Sequence, residues 1–370
     1  MEPPKKSTSR NAIVPSTKEE EIRNARGEWR PPYPIRYAPL FQWPWRIWEV
    51  LKWLWGHPGY AFPLNAMLLA TSAASWFLTQ PAIESCKTFE WGWMSWVFVR
   101  NELLIWLWYG AYYLWLYVWK KEGTKGKYDA KWPARNSRTF LFGDQVKDNI
   151  FWTAGVSALI WTGFEWITLW MYANQRLPYL SPAEHPVWFG LWILAIPLWR
   201  EFHFYWIHRL IHWKPLYRRI HSLHHKNVNP NPWSGMAMHP VEAFLYLSVA
   251  CIHWVVPSHP FHFLFNLQHA GLGPAGGHDG FEGPIIREKF HTGSYFHYLH
   301  HRYFECNYGE SILPLDKWFG TFRDGLPEGE GANLREEHTF RVPGQEPKNP
   351  HGKPGTPENE PAPTSEKHEA

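Results

Sequence analysis

The stretch EFHFYWIHRLIHWKPLYRRIHSLHH, residues 201–225, contains two histidine clusters, and HYLHH at 297–301 adds a third. His208 and His212 are four residues apart, so on a helix they lie on one face. HSLHH and HYLHH both place histidines three and four residues after the first, which again gathers them on one side of a helix. The spacing therefore predicts helices that present their histidines to a common centre.

The three clusters contribute eight imidazoles: His208, His212, His221, His224, His225, His297, His300 and His301. Neutral imidazole is a good ligand for iron, zinc and copper. Eight ligands are too many for one four-coordinate ion, so the clusters predict a site for two metal ions. The three cysteines form no CxxC pair, and no paired carboxylate lies inside the clusters. A thiolate site and a carboxylate di-iron bundle are both excluded on these grounds.

Four long apolar stretches precede the histidine clusters, at 60–83, 103–119, 149–172 and 185–199. Each is near the length of about 20 residues with which a helix crosses a bilayer core. Charged residues make up only 19% of the chain and aromatic residues 18%. The alternative is a large, tryptophan-rich soluble helical core. We predict an all-α integral membrane protein with about four transmembrane helices over residues 59–205.

The distribution of basic residues predicts the orientation of these helices. Residues 1–58 and 120–148 hold eighteen lysines and arginines, against two in 81–90 and 173–185. Because cytoplasmic loops carry the excess of basic residues, the first two segments are expected in the cytoplasm. A fifth apolar stretch, 241–267, is broken by two prolines. It is predicted to form a re-entrant helical hairpin, which keeps all three histidine clusters in a cytosolic, histidine-rich dimetal cap.

The remaining segments differ in composition. Residues 1–40 and 326–370 are polar or rich in Pro, Gly and Glu, and are predicted to be disordered tails. The segment 41–58 begins FQWPWRIWEVLKWLW, with charged residues at every third position. It predicts an amphipathic helix in the membrane interface, or else one packed on a soluble core. A net charge of +4 is too small to indicate nucleic-acid binding.

At the histidine clusters the sequence resembles the membrane-bound fatty acid hydroxylase/sterol desaturase superfamily, whose signature is HxxxH, HxxHH and HxxHH. Within it, the chain is most similar to the sterol C-5 desaturase (lathosterol oxidase) branch. The matching segments are YWIHRLIH (205–212), MHPVE (238–242), GHDG (277–280), HYLHHRYFECNYGE (297–310) and ILPLDKWFGTFR (312–323). The resemblance covers residues 201–323, the expected catalytic domain. GLGPAGG at 271–277 and MAM at 236–238 depart from the branch, which usually has a further histidine in place of MAM.

The resemblance implies a di-iron oxidoreductase that uses O2 to oxidise a C–H bond of a lipid, by sterol-type desaturation or by hydroxylation, as in lipid and sterol biosynthesis. Two iron ions are the implied cofactors, with zinc able to replace iron in isolated protein. The implied partners are a lipid or sterol from the bilayer and an electron donor such as cytochrome b5 or ferredoxin with an NAD(P)H reductase. The implied location is the bacterial inner membrane or the endoplasmic reticulum, with the site on the cytosolic face.

The family pattern adds further candidate residues. His278 is implied as a ninth metal ligand, and His239 as a ligand or a supporting group. His203 and His269 are candidates for the same roles, and Asp279 and Glu242 for orienting ligating imidazoles or capping loops. The basic residues around the clusters are candidates for docking an electron carrier or lipid headgroups, or form a solvated surface: Lys214, Arg218, Arg219, Lys226 and Arg302.

A histidine-rich membrane metal-binding or transport protein is the alternative function. A transporter is expected to place ligands near the middle of several membrane helices. The four apolar stretches before residue 200 are almost free of such ligands, and the histidine clusters lie beyond them. The pattern therefore favours the oxidoreductase.

Overall fold

The computed structural model describes residues 37–285 and 290–325, together with Arg23 and residues 27–31. The predicted C-terminal tail and most of the predicted N-terminal tail lie outside these residues. Within the described part of 1–40, Trp29 is buried and its ring packs against Tyr128 and Tyr295. Folded contacts therefore begin before residue 41.

The described residues are mostly helical, as predicted. The α-helices are α1 Ile47–Trp55, α2 Ala66–Leu78, α3 Trp91–Tyr113, α4 Gln145–Ile150, α5 Ala158–Ala173, α6 Pro186–Ile211, α7 Lys214–Leu216, α8 Ser222–His225, α9 Pro240–Leu247, α10 Ile252–Val255, α11 Pro260–Leu272, α12 Pro274–Gly277, α13 Tyr295–Tyr303 and α14 Leu315–Trp318. The exception to the all-α prediction is a small antiparallel sheet of β1 Gly283–Ile285 and β2 Phe290–Thr292. Short π-helical segments adjoin or link several helices: Leu114–Val118, Phe151–Ser157 and Tyr217–His221. The segment Ala61–Asn65 before α2 is kinked at Phe62, whose backbone is extended.

Local sequence signals fix where the helices near the histidine clusters begin. Proline occupies the first position of α6, α9, α11 and α12, where a helix has no partner for the backbone N–H in any case. The Ser294 side chain accepts a hydrogen bond from the His297 amide at 3.2 Å and so caps α13. These caps set the position of each histidine along its helix.

The bundle is built around α11, which is buried along its entire length. It packs against α2, α5, α6 and α9. Because no face of α11 meets solvent, its polar side chains need partners inside the protein. The Gln268 side chain accepts a hydrogen bond from Ser72 on α2, and the His269 imidazole contacts the Asn65 side chain at 2.8 Å. These contacts tie α11 to α2.

Among the described residues, one helix is both long and apolar enough to cross a membrane, at Ala61–Leu78. The helices α3 and α6 have 23 and 26 residues but are rich in tryptophan and tyrosine and carry charges. The predicted set of four crossings is therefore not confirmed. The fifth apolar stretch bends near Pro257, and α11 packs back against α9, as a hairpin would.

A buried ion pair joins α3 to α5. The Arg100 guanidinium donates to the Glu165 carboxylate and, at 3.0 Å, to the Gln80 side chain. Asn101 donates to the second oxygen of Glu165 at 3.1 Å. A charge taken out of water is stable only when its partner is present, so each member of this pair depends on the other.

We expect Glu165→Leu to destabilise the protein by about 3–5 kcal/mol, because the Arg100 guanidinium is left buried without its carboxylate. Adding Arg100→Met removes both charges and should restore part of the loss. Unfolding midpoints in mild detergent measure both effects. Glu49→Leu, which removes the exposed pair with Lys52, is the control and should change the midpoint little. A double variant less stable than Glu165→Leu alone would contradict this account.

Candidate metal centre

Four segments bring nine histidines together: the end of α6, the π-helical turn with α8, the end of α12, and α13. The nine form two groups, and within each group the candidate ligand atoms lie within 4.8 Å of one another. All nine side chains are buried. The first group is His208, His212, His221, His225 and His300, and the second is His224, His278, His297 and His301.

The two HxxHH clusters divide their histidines between the groups in the same way. In HSLHH, His221 and His225 enter the first group and His224 enters the second. In HYLHH, the residues four apart enter the second group, and His300 enters the first. With 3.6 residues per turn, side chains four apart point about 40° from each other. The middle histidine of each cluster points about 60° from the first and about 100° from the last, so it is the one that reaches the other group. Each cluster thus contributes to both groups.

Backbone carbonyls fix the tautomer of three imidazoles. The Nδ1 atoms of His208 and His300 lie 2.7 Å from the carbonyl oxygens of Tyr308 and Cys306, and Nδ1 of His278 lies 3.0 Å from that of Pro274. A carbonyl oxygen can only accept, so in each case Nδ1 carries the hydrogen. The Nε2 atom of each ring therefore has its lone pair free.

These lone pairs face other ring nitrogens. Nε2 of His208 lies 3.1 Å from Nε2 of His221, and Nε2 of His300 lies 3.0 Å from that of His225. In the second group, Nε2 of His278 lies 3.0 Å from Nε2 of His297. Two nitrogens bound at about 2.1 Å to one ion, at right angles, would be about 3.0 Å apart. The donor set therefore fits a metal ion in each group.

The imidazoles are in the uncharged form that binds metal. Burial lowers the pKa of His224 to about 4. Burial also lowers the pKa values of the other eight well below the ordinary value of histidine. All nine are accordingly neutral near pH 7, with a lone pair available.

Two carboxylates were candidates for orienting imidazoles, and the structure separates them. Glu242 lies 2.7 Å from Nδ1 of His221, the arrangement in which a carboxylate orients a metal-binding imidazole. Asp279 accepts hydrogen bonds from the Thr292 hydroxyl and from the Phe281 amide. It therefore holds its own loop and contacts no imidazole through these bonds.

Three further candidate histidines lie outside the two groups. His239 caps α9, with Nδ1 accepting from the Val241 amide at 3.2 Å. The His203 imidazole contacts the Ser248 hydroxyl at 3.1 Å, and His269 makes its contact with Asn65. In the structure His239 caps a helix, whereas His203 and His269 make contacts between separate segments of the bundle.

Two of the five candidate docking residues are already paired. Lys226 is buried, with its ammonium 2.6 Å from the Asp148 carboxylate, and Arg302 lies 3.0 Å from Glu28. Asp148 and Glu28 are far from these two residues in sequence, so no local sequence pattern predicts the ion pairs. The prediction that five basic residues form a docking surface is therefore wrong for Lys226 and Arg302. The exposed candidates are Lys214, Arg218 and Arg219.

Sequence reasoning missed the carbonyls that orient the imidazoles, those of Pro274, Cys306 and Tyr308. A backbone carbonyl has no residue type, so no pattern identifies it. The one available signal is that all three belong to segments adjoining the histidine motifs, since Cys306 and Tyr308 lie in CNYGE just after HYLHH.

Residues 193–321 match the fatty acid hydroxylase family. The chain is 30% identical to the human lathosterol oxidase over 198 residues. This alignment covers 51% of this chain and 65% of that protein. It is 30% identical over 144 residues to a Delta(7)-sterol 5(6)-desaturase of Gibberella zeae, covering 38% of this chain and 44% of the relative. The mouse lathosterol oxidase is 36% identical over 132 residues, covering 35% and 44% respectively.

These matches confirm the resemblance to the superfamily and to its sterol desaturase branch. The names of the relatives describe desaturases and oxidases, which are oxidoreductases. The aligned part of the chain spans between 44% and 65% of the length of these three relatives. No solved structure matches the chain.

The division of the histidines predicts different metal contents for two adjacent substitutions. His224→Ala leaves three imidazoles in the second group, which bind an ion more weakly than four, so the content of purified protein should fall from about two ions towards one. His225→Ala leaves four in the first group, enough for a tetrahedral site, and the content should stay nearer two. Elemental analysis of protein in mild detergent measures this. Equal contents in the two variants, or about one ion in the unsubstituted protein, would contradict the two-group assignment.

Proposed function

We propose that this chain is a membrane-bound oxidoreductase that uses O2 to oxidise a C–H bond of a lipid, with two iron ions held by the nine histidines. The observation that carries the proposal is the pair of buried histidine groups in which Nε2 atoms lie 3.0–3.2 Å apart. The similarity of residues 193–321 to fatty acid hydroxylases supports a lipid as the substrate. The names of the relatives support a sterol as the lipid that is oxidised.

When bound, the two ions would supply the electron-transfer and oxygen chemistry that side chains lack. The protein's part is to hold and orient the ligands. Glu242 and the three carbonyls keep Nδ1 of their imidazoles occupied, so that Nε2 points into the groups. Nine uncharged ligands leave the positive charge of the ions unneutralised, which suits a strong oxidant. Burial of all nine keeps bulk water away from the site.

The proposed reactions balance with two electrons from a donor. Hydroxylation converts R–H, O2, two electrons and two protons into R–OH and one water. Desaturation removes two hydrogens from neighbouring carbons and, with the same O2, electrons and protons, forms a C=C bond and two waters. We propose an acidic one-electron carrier, such as cytochrome b5 or ferredoxin with its reductase, as the donor. The exposed bases Lys214, Arg218 and Arg219 lie between His212 and His221 and suit its docking.

The proposed location is a membrane, the bacterial inner membrane or the endoplasmic reticulum. Helices α2, α3, α5 and α6 would cross it, α1 would lie in the interface, and the histidine groups would face the cytosol. Large apolar side chains are exposed on α1, α2, α3 and α6, including Trp48, Phe77, Leu107 and Val187. Apolar surface of this extent marks a membrane or partner contact. The basic residues of 1–58 and 120–148 favour the stated orientation.

Cells that make the protein are expected to contain a lipid changed in mass by +16 for hydroxylation or −2 for desaturation, compared with cells that lack it. Lipid mass spectrometry measures this. His300→Ala should abolish the change, because it removes a ligand from the first group while leaving the upstream helices intact. Membrane fractionation of the variant checks that insertion persists.

The outcome also separates the two candidate functions. Unchanged lipids in cells with the metal-loaded protein would contradict the proposal. If cellular metal content changed instead, the transport alternative would replace it. Near-normal product in His300→Ala would contradict the expectation that the reaction needs all five imidazoles of the first group.

A further inference from the structure

One small cavity touches both histidine groups. Its lining includes His208 and His221 from the first group and His224 and His278 from the second. Its volume is about 20 Å³, room for roughly one water molecule. Because ligands of both groups border it, a reacting atom placed there would lie beside both metal positions.

Much of the remaining lining is apolar. Ile207 and Ile211 contribute to it from α6, and Met238 from the segment that precedes α9. Met238 is the second methionine of MAM, the position at which the chain departs from the sterol C-5 desaturase pattern. The side chain of methionine is unbranched and adaptable, so it can move to admit a ligand.

Three polar side chains of the lining are held by neighbours: Glu242, Tyr246 and Glu310. Oε1 of Glu242 lies 2.7 Å from Nδ1 of His221, whereas its Oε2 has no hydrogen-bond partner. The Tyr246 hydroxyl donates to the Ala270 carbonyl at 2.8 Å and accepts from Arg200 at 3.0 Å. Glu310, which also lines the cavity, forms an ion pair with the same arginine. A charged substrate group would have to break these contacts. The cavity is therefore suited to an uncharged hydrocarbon segment.

Side chains of both α6 and α9 line the cavity. Ile207 of α6 lines it and is only half-buried, so this side chain connects the cavity with the surface of the two helices. On that surface the large apolar side chains Leu210, Val241 and Phe244 are 49%, 46% and 56% exposed. Exposed apolar side chains beside a cavity offer a lipid a continuous apolar path inward.

We propose that the reacting carbon enters between α6 and α9, and that Met238 and Ile207 determine which lipid segment is admitted. This inference rests on the proposed lipid oxidation, and it adds the path and the two side chains that admit an uncharged hydrocarbon segment. Since the cavity holds only about one water-sized group, such a segment enters when these two side chains move aside. A fused-ring sterol and an acyl chain share this chemistry, and the experiment distinguishes them.

The first arm measures binding to the metal-free protein in detergent, so that turnover plays no part. Radiolabelled lathosterol and radiolabelled stearoyl phosphatidylcholine are the probes. Ile207→Phe should weaken binding of the preferred lipid by about tenfold, whereas the control Leu210→Phe, on the exposed side of α6, should change it by less than about twofold. Equal effects of the two variants, or no binding of either lipid to the unsubstituted protein, would overturn the proposal.

The second arm compares the two methionines of MAM. Met236 is as buried as Met238 but does not line the cavity. Met238→Val should change the ratio of the two lipid affinities by about tenfold, because one or two methylenes of the pocket wall are lost, whereas Met236→Val should leave the ratio within about twofold. Equal ratios in the two variants would overturn the role of Met238. Metal content, measured after loading, should stay near that of the unsubstituted protein in all four variants.

The two arms also separate this inference from the proposed function. If the lipids bind as expected but the iron-loaded protein oxidises neither of them or any cellular lipid, the proposed function fails and the binding path stands. If a lipid is oxidised but the variants of Ile207 and Met238 behave like their controls, the oxidation stands and the path between α6 and α9 is wrong.

Discussion

The structure depends on holding the Nε2 atoms of neighbouring imidazoles close together in a buried site. His208, His278 and His300 give their Nδ1–H to backbone carbonyls, so their Nε2 lone pairs must face neighbouring imidazoles at about 3 Å. Burial disfavours the charged form of these rings, so the lone pairs stay available. With a metal ion bound in each group, nitrogen atoms about 3 Å apart would be at the normal separation of two ligands of one ion. The helix caps, the carbonyls and the Glu242 carboxylate all serve to maintain this arrangement.

Local spacing made the clusters recognisable, because helical geometry relates residues three and four apart directly. The sequence did not show that His224 and His225 enter different groups, since the groups also take histidines from α6, α13 and the end of α12, which only the folded chain brings together. His278 has no spacing signal at all and was suggested only by resemblance. The pairing of Lys226 with Asp148 was equally hidden, because 78 residues separate them and contact arises only in the folded chain.

The helical class followed from the apolar stretches, but the path through a membrane did not. Tryptophan and tyrosine favour the membrane interface and so blur the distinction between a span and an amphipathic surface helix, as in α3. The central position of α11 was also unpredictable, since Asn266, Gln268 and His269 make its sequence look partly polar. Their partners come from α2 and from the segments before α2 and α10. Helix α6 connects the two parts of the molecule, because it begins in the apolar bundle and ends at the candidate metal centre.

We infer that imidazole nitrogen atoms are the only protein atoms that bind the two ions. X-ray absorption at the iron edge of iron-loaded protein tests this directly. The account predicts a nearest shell of nitrogen or oxygen atoms at about 2.0–2.2 Å with the outer-shell pattern of imidazole rings, and iron as a further scatterer. A sulfur shell near about 2.3 Å, or a nearest shell without imidazole scattering, would contradict it.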